Sequence, residues 1–65
     1  MKVKYDKETD TLRILFTDEK IEESDEEKPD MVLDYDKDGN VVGVEILNAS
    51  KKMKDPSKIE LDVAG

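Results

Sequence analysis

Three aspartates and a glutamate between residues 34 and 45 have the spacing of a calcium-binding loop. Asp34, Asp36 and Asp38 precede Gly39, and Glu45 stands where an EF-hand places its closing bidentate ligand. Calcium binds roughly six to eight oxygen atoms, and these four carboxylates would supply most of them. A small calcium-binding module is therefore one function that the sequence offers.

The residues on either side favour a turn for the same stretch. An EF-hand needs an entering helix, but Pro29 and the alternating MVLDYD come before the stretch, and VVGVEIL after it is typical of a strand. Between two strands, Asp36 begins a type I turn and Gly39 takes the left-handed position of a bulge. We expect this turn, and assign no metal ligand, cofactor-binding residue or catalytic residue.

Two paired strands could bring the carboxylates of Asp34 and Glu45 close together. Like charges on adjacent strands destabilise a sheet, so a lysine, an arginine, a cation or a partner's charge would have to compensate. Arg13, the only arginine, could do so through its forked guanidinium. A solvated surface arginine is the alternative.

The composition excludes several kinds of catalytic site. The chain has no histidine and no cysteine, which removes the usual zinc ligand sets and the Ser-His and Cys-His nucleophile pairs. With 18 acidic residues, some carboxylate pair will occur at any chosen spacing, so such a pair does not indicate an acid–base site. We expect no enzyme activity.

The charge and length indicate a small acidic domain. A net charge of −7 argues against binding nucleic acid, and no apolar run is long enough for a signal peptide or a membrane span. We therefore expect a cytoplasmic protein. The 65 residues form one domain, residues 1–65. A domain of this size buries only about 60% of its unfolded surface, and without cysteine the added support would be a structural metal or a second subunit.

Two similar segments, Tyr5–Phe16 and Tyr35–Leu47, each begin Tyr-Asp-Lys and lead through a polar patch into an apolar run. Each predicts a β-hairpin. The fold class is therefore mainly β (α+β): an antiparallel β-meander of about five to six short strands built from two hairpins, with one short helix near residues 48–54. Asn48 would cap that helix, and Lys58–Val63 alternates as a final short strand.

The second hairpin, Met31–Asp36 with Val41–Leu47, has apolar residues on both sides. A strand buried on both faces needs two covers, one of which a second subunit could supply. This pattern predicts a homodimer.

The acidic segment, residues 18–30, lies between the hairpins. Ile21 among polar residues suits an exposed edge strand, whereas Ser24 to Glu27 matches a helix-capping box, and we expect the strand. Pro29 would then start the second hairpin. The segment is either a solvated edge or a docking face for a basic protein. The lysines at 51, 52, 54 and 58 could also pair with it across a dimer.

The run KVKYDKETDTLRILF, the acidic segment, and then MVLDYDKDGNVVGVEILNASK resemble the prokaryotic family catalogued as domain of unknown function 2283. The resemblance covers about residues 1–53 and leaves out the tail, residues 55–65. It implies a small, mostly antiparallel β fold without an established activity or catalytic residues. Members are similar to proteins encoded beside small toxin-like partners, which suggests an antitoxin-like role.

These observations together predict a non-enzymatic interaction domain that is acidic, forms a homodimer and binds a basic protein. The alternative is the calcium module on Asp34, Asp36, Asp38 and Glu45.

Overall fold

Five antiparallel strands form one sheet, and a short helix and a tail without regular structure follow them. The computed structural model describes residues 1–65. The strands are β1 (Lys2–Asp6), β2 (Thr11–Leu15), β3 (Glu23–Lys28), β4 (Met31–Tyr35) and β5 (Val41–Ile46), and the helix is α1 (Ala49–Lys52). The predicted fold class is confirmed. In the sheet order β1-β2-β5-β4-β3, the two hairpins meet through β2 and β5, so β1 and β3 are the edges.

Side-chain alternation gives the sheet one apolar face and one polar face. Leu12 pairs with Tyr5 and Ile46, and Ile14 pairs with Val3 and Val44, so these residues share a face. Together with β4, the apolar face consists of Val3, Tyr5, Leu12, Ile14, Met31, Leu33, Val44 and Ile46. The polar face carries Lys2, Lys4, Thr11, Arg13, Leu15, Ser24, Glu26, Val32, Asp34, Gly43 and Glu45.

The turn between β4 and β5 forms as the sequence predicts. Gly39 has φ 82°, and its N–H donates to the carbonyl of Asp36 at 3.1 Å. The Asp36 carboxylate accepts the backbone N–H groups of Asp38 and Asn40, both at 2.9 Å. These bonds lower the pKa of Asp36, with the Asn40 N–H as the largest cause. The pairing also shifts register between Asp34 and Tyr35.

The acidic segment contains an edge strand, as predicted, and not a helix with a capping box. All six residues of β3 are exposed, and only β4 pairs with them. Tyr35 Oη donates to Glu27 Oε1 at 2.7 Å, which raises the pKa of Tyr35 to about 12. Pro29 leads into the second hairpin as expected: with Asp30, whose φ is 65°, it makes the turn between β3 and β4.

Helix α1 is shorter than predicted, and Asn48 occupies its N-cap position as predicted, but the Asn48 side chain makes no capping bond. Asn48 has φ 52° and no side-chain capping bond. Asp10 from the β1–β2 turn takes that role: its carboxylate accepts the N–H of Ser50 at 3.0 Å and the Ser50 hydroxyl at 2.6 Å. Its backbone carbonyl accepts the N–H of Ala49 at 2.9 Å. The Ser50 hydroxyl and then Tyr5 Oη, which donates at 2.6 Å, lower the pKa of Asp10.

The predicted final strand, Lys58–Val63, does not form. No other strand lies beside these residues, and a strand needs a neighbour for its backbone hydrogen bonds. The exposed fractions are 60% for Ile59, 88% for Leu61 and 83% for Val63. The one helix, of four residues, is far too short to cross a membrane.

The hydrophobic core is small. The buried hydrophobic residues that form it are Leu12, Val42 and Ala49. Val3 and Met31 on the apolar face remain 39% and 37% exposed. The sheet therefore buries its apolar side chains only in part.

Candidate functional site

Five residues from four strands meet near the centre of the polar face. Ser24 of β3, Asp34 of β4 and Gly43 of β5 lie in one row across the sheet. Glu45 of β5 and Arg13 of β2 face each other in the next row. Asp34 and Glu45 are therefore diagonal neighbours on adjacent strands, as the sequence suggested.

Asp34 is the largest fully buried side chain in the molecule, with an exposed fraction of 0%. Ser24 Oγ donates to Asp34 Oδ1 at 2.6 Å. No N–H or O–H group of the structure donates to Asp34 Oδ2. A buried carboxyl oxygen without a donor is costly, on the order of 1–3 kcal/mol or more.

Gly43 leaves the space that the Asp34 side chain fills. A Cβ atom at position 43 would lie 3.1 Å from Asp34 Oδ2, 3.0 Å from the carbonyl oxygen of Ile14 and 3.1 Å from Leu15 Cδ2. These distances are shorter than ordinary van der Waals contacts. Glycine at position 43 is therefore required by the close approach of three neighbours.

Glu45 is held between a like charge and an opposite one. Burial, then the charge of Asp34 and a hydrogen bond with it, raise the pKa of Glu45 above its ordinary 4.5, while Arg13 opposes the rise. A proton on Glu45 supplies the donor that the Asp34 carboxyl otherwise lacks. The pair therefore retains a proton to higher pH than an isolated glutamate does.

Arg13 lies beside Glu45, as the sequence suggested, but the contact is weak. The Nε–Oε1 distance is 4.0 Å, and Arg13 Nε has no hydrogen-bond partner. The Arg13 side chain is 42% exposed, so solvent screens this ion pair. Arg13 thus offsets only part of the repulsion between Asp34 and Glu45.

The four residues of the calcium pattern are not brought together. Asp34 and Glu45 lie within the sheet, Asp36 accepts bonds from its own turn, and Asp38 is exposed in that turn. The structure contains no group of three carboxylates arranged to hold a metal ion. The reason is the strand–turn–strand geometry, which holds Asp34 and Glu45 side by side in the sheet and leaves Asp36 and Asp38 in the turn.

The matched family covers the whole sheet. The profile of the family described as "Protein of unknown function (DUF2283)" matches residues 2–50 of the 65. The chain belongs to the DUF2283 family. No curated protein and no solved structure matches it. The five residues of the polar-face cluster lie inside the DUF2283 range, whereas half of α1 and the whole tail lie outside it.

In this DUF2283 chain, the cluster lies where four paired strands meet, with the buried Asp34 at its centre. Asp34 has no exposed surface on which to meet a substrate. A depression of 270 Å³ beside Arg13 and Glu45 has Leu47 as its one hydrophobic lining residue. Sites for small organic ligands are mostly apolar, so this depression is not typical of one.

Sequence reasoning missed three residues that organise this DUF2283 chain. Gly43 carried a readable signal, because a glycine inside a strand often marks a close approach. Ser24 looked like a helix cap, and nothing in its spacing indicates a bond to Asp34, ten residues away. Asp10 bonds to Ser50, 40 residues later, which a local pattern does not reveal.

Proposed function

We propose that this DUF2283 chain is a non-enzymatic interaction domain that self-associates, with two copies packing their apolar faces together. The observation that carries the proposal is the incomplete burial of the apolar face. The sheet is a single layer, and stable domains bury the apolar face of a sheet against a second layer. A second copy supplies that layer.

The exposed surface area of the chain supports association with a second copy. A folded monomer of this mass exposes about 4,200 Å², whereas this chain exposes 5338 Å². The excess of about 1,100 Å² compares with about 800 Å² that each partner buries in a standard interface. The extended tail contributes to the excess. The radius of gyration, 12.6 Å, also exceeds the value of about 11 Å for a compact chain of this length.

The polar face is a poor candidate for the same role. Asp34, Glu45 and Arg13 occupy its centre, and burying them further would remove solvent from charges that already lack full compensation. The second cover that the sequence suggested for the β4–β5 hairpin is therefore not needed on this face. The interface belongs on the apolar side.

The acidic edge supports a second interaction, with a basic protein. Four of the six residues of β3 are acidic, and all six are exposed. Lysines near the C-terminus could instead neutralise acidic groups across a dimer. One of them, Lys52 of α1, already pairs within the chain, with its Nζ 3.4 Å from Asp30 Oδ2. An exposed acidic edge favours fast association with a basic partner. An antitoxin-like role, in which that partner is a small toxin, is one form of this proposal.

Two substitutions at adjacent positions test the self-association. Met31→Lys adds a charge to the apolar face, and Val32→Lys adds the same charge to the polar face of the same strand, opposite Glu26 and Glu45. Sedimentation velocity at micromolar concentration should show that Met31→Lys shifts the chain from dimer to monomer, whereas Val32→Lys leaves the dimer intact. Equal behaviour of the two variants would contradict an interface on the apolar face. Circular dichroism on both variants verifies that the sheet is retained.

A further inference from the structure

The tail has the pattern of a strand but no partner in its own chain. Ile59, Leu61 and Val63 alternate with Lys58, Glu60 and Asp62, and the three apolar side chains are 60–88% exposed. Alternation of this kind is typical of a strand with one buried face. An exposed strand-forming segment of this kind is a ready partner for the open edge of a sheet.

The two open edges of the sheet differ in charge. Edge strand β1 places Lys2 and Lys4 on the polar face, with Val3 and Tyr5 on the apolar face. Edge strand β3 carries Glu23, Asp25, Glu26 and Glu27. The acidic residues of the tail would be repelled by β3 and attracted by β1.

A tail added to β1 as a strand would make apolar contacts on one face of the sheet and pair opposite charges on the other. In a strand laid beside β1, Ile59, Leu61 and Val63 extend the apolar face past Val3 and Tyr5. Glu60 and Asp62 then lie on the polar face beside Lys2 and Lys4. Lys58–Val63 has six residues, one more than β1, so the two strands could pair along the whole of β1.

The tail leaves its own sheet at one end of β1. The N–H groups of Ala49 and Ser50 at the start of α1 donate to Asp10 of the β1–β2 turn, and the tail follows α1, so the base of the tail lies near the β1–β2 hairpin. From there the segment extends without pairing to its own β1. Two copies related by a two-fold axis can each give a tail to the other, which closes the assembly and pairs both β1 edges.

We infer that a second copy of this chain accepts Lys58–Val63 as an added strand on its β1 edge, reciprocally in a dimer. The inference rests on the proposed self-association and specifies how part of that dimer is held. It involves a segment outside the family match, so the apolar-face interface does not depend on it.

Charge reversal tests the exchange. One variant carries Lys2→Glu and Lys4→Glu, and the other carries Glu60→Lys and Asp62→Lys. In each variant alone, the tail and the β1 edge have like charges, so the dissociation constant of the dimer should rise about tenfold. In an equimolar mixture, each tail meets an oppositely charged edge on the other variant, and a mixed dimer of native affinity should form.

Mixing the two variants distinguishes tail exchange between copies from tail pairing within one chain. If each tail paired with its own β1, mixing would not restore the dimer, and the inference would be wrong. If the unchanged chain is a dimer and both variants dimerise equally well, the exchange is excluded while the apolar-face dimer stands. A monomeric unchanged chain would contradict the proposed function itself. Sedimentation velocity on the three samples gives all of these readouts.

Discussion

At the scale of single residues, the buried carboxyl of Asp34 determines which side chains its neighbours can have. Ser24 supplies a hydroxyl, Gly43 supplies space, and Glu45 supplies a donor when it is protonated and a like charge when it is ionised. Each contribution is specific, because a buried carboxyl tolerates neither a lost donor nor a new like charge. Two substitutions test this description.

Gly43→Ala should destabilise the sheet by about 1–3 kcal/mol, the usual cost of overpacking a well-packed site. The added methyl group would press on the Ile14 carbonyl and the Asp34 carboxylate, and the backbone atom cannot move away cheaply. Urea denaturation measures the change in the free energy of unfolding. The matched control is Lys54→Ala, at an exposed position outside the sheet. Unchanged stability in Gly43→Ala would refute the close approach.

Glu45→Gln should make the chain more stable at pH 7, by about 1 kcal/mol or less, because it removes the repulsion with Asp34. The pKa of Glu45 is raised in the folded chain, so its favourable contribution is complete below the ordinary value of 4.5 and is lost as pH rises through the folded value. The difference between variant and parent should therefore shrink from pH 7 towards pH 4.

Thermal unfolding at several pH values measures this difference, and Glu8→Gln in the exposed β1–β2 turn is the control. Subtracting the parent curve cancels the contributions of the other carboxylates, including Asp10, Asp36 and Asp55, whose pKa values are lowered. A variant that is less stable than the parent at pH 7 would show that the Arg13–Glu45 ion pair outweighs the carboxyl repulsion.

At the scale of elements, the sequence predicted the parts that local patterns control. Alternation identified both hairpins, and the DKDG run identified the turn at Gly39, because the left-handed conformation there needs a glycine. The edge position of β3 followed from its charge. These features depend on residues within one hairpin or one strand.

The features that the sequence did not predict depend on distant residues. Asn48 is the N-cap residue of α1, but the carboxylate of Asp10, 40 residues before Ser50, makes the capping bond that the Asn48 side chain does not make. Lys58–Val63 has the pattern of a strand, but no edge of its own chain pairs with it. In the cluster, the proximity of Asp34, Glu45 and Arg13 could be predicted from strand pairing. The complete burial of Asp34 and the role of Ser24 depend on side-chain packing across four strands.

The acidic edge strand should control the rate at which a basic protein associates. Glu23→Gln with Asp25→Asn neutralises two charges of β3, and Glu8→Gln with Asp38→Asn neutralises two charges in exposed turns. Against a basic partner isolated from native lysate, the first variant should associate several-fold more slowly, and added salt should reduce the difference. Surface plasmon resonance measures these rates. Equal rates for the two variants would mean that β3 is only a solvated edge.

At the scale of the whole molecule, the single sheet leaves apolar side chains such as Val3 and Met31 partly exposed. The apolar face, the acidic β3 edge and the basic β1 edge are three distinct surfaces on one small domain. In the proposed assembly, the first would mediate self-association, the second would bind a basic partner, and the third would accept the exchanged tail. The buried carboxyl cluster supports the sheet that presents them.

Sedimentation equilibrium of the unchanged chain at micromolar concentration tests self-association most directly. The account predicts a mass twice the 7.4 kDa of the chain. The apparent mass should fall towards that of a single chain on dilution, as expected for a reversible dimer. A mass of one chain throughout the micromolar range would contradict it.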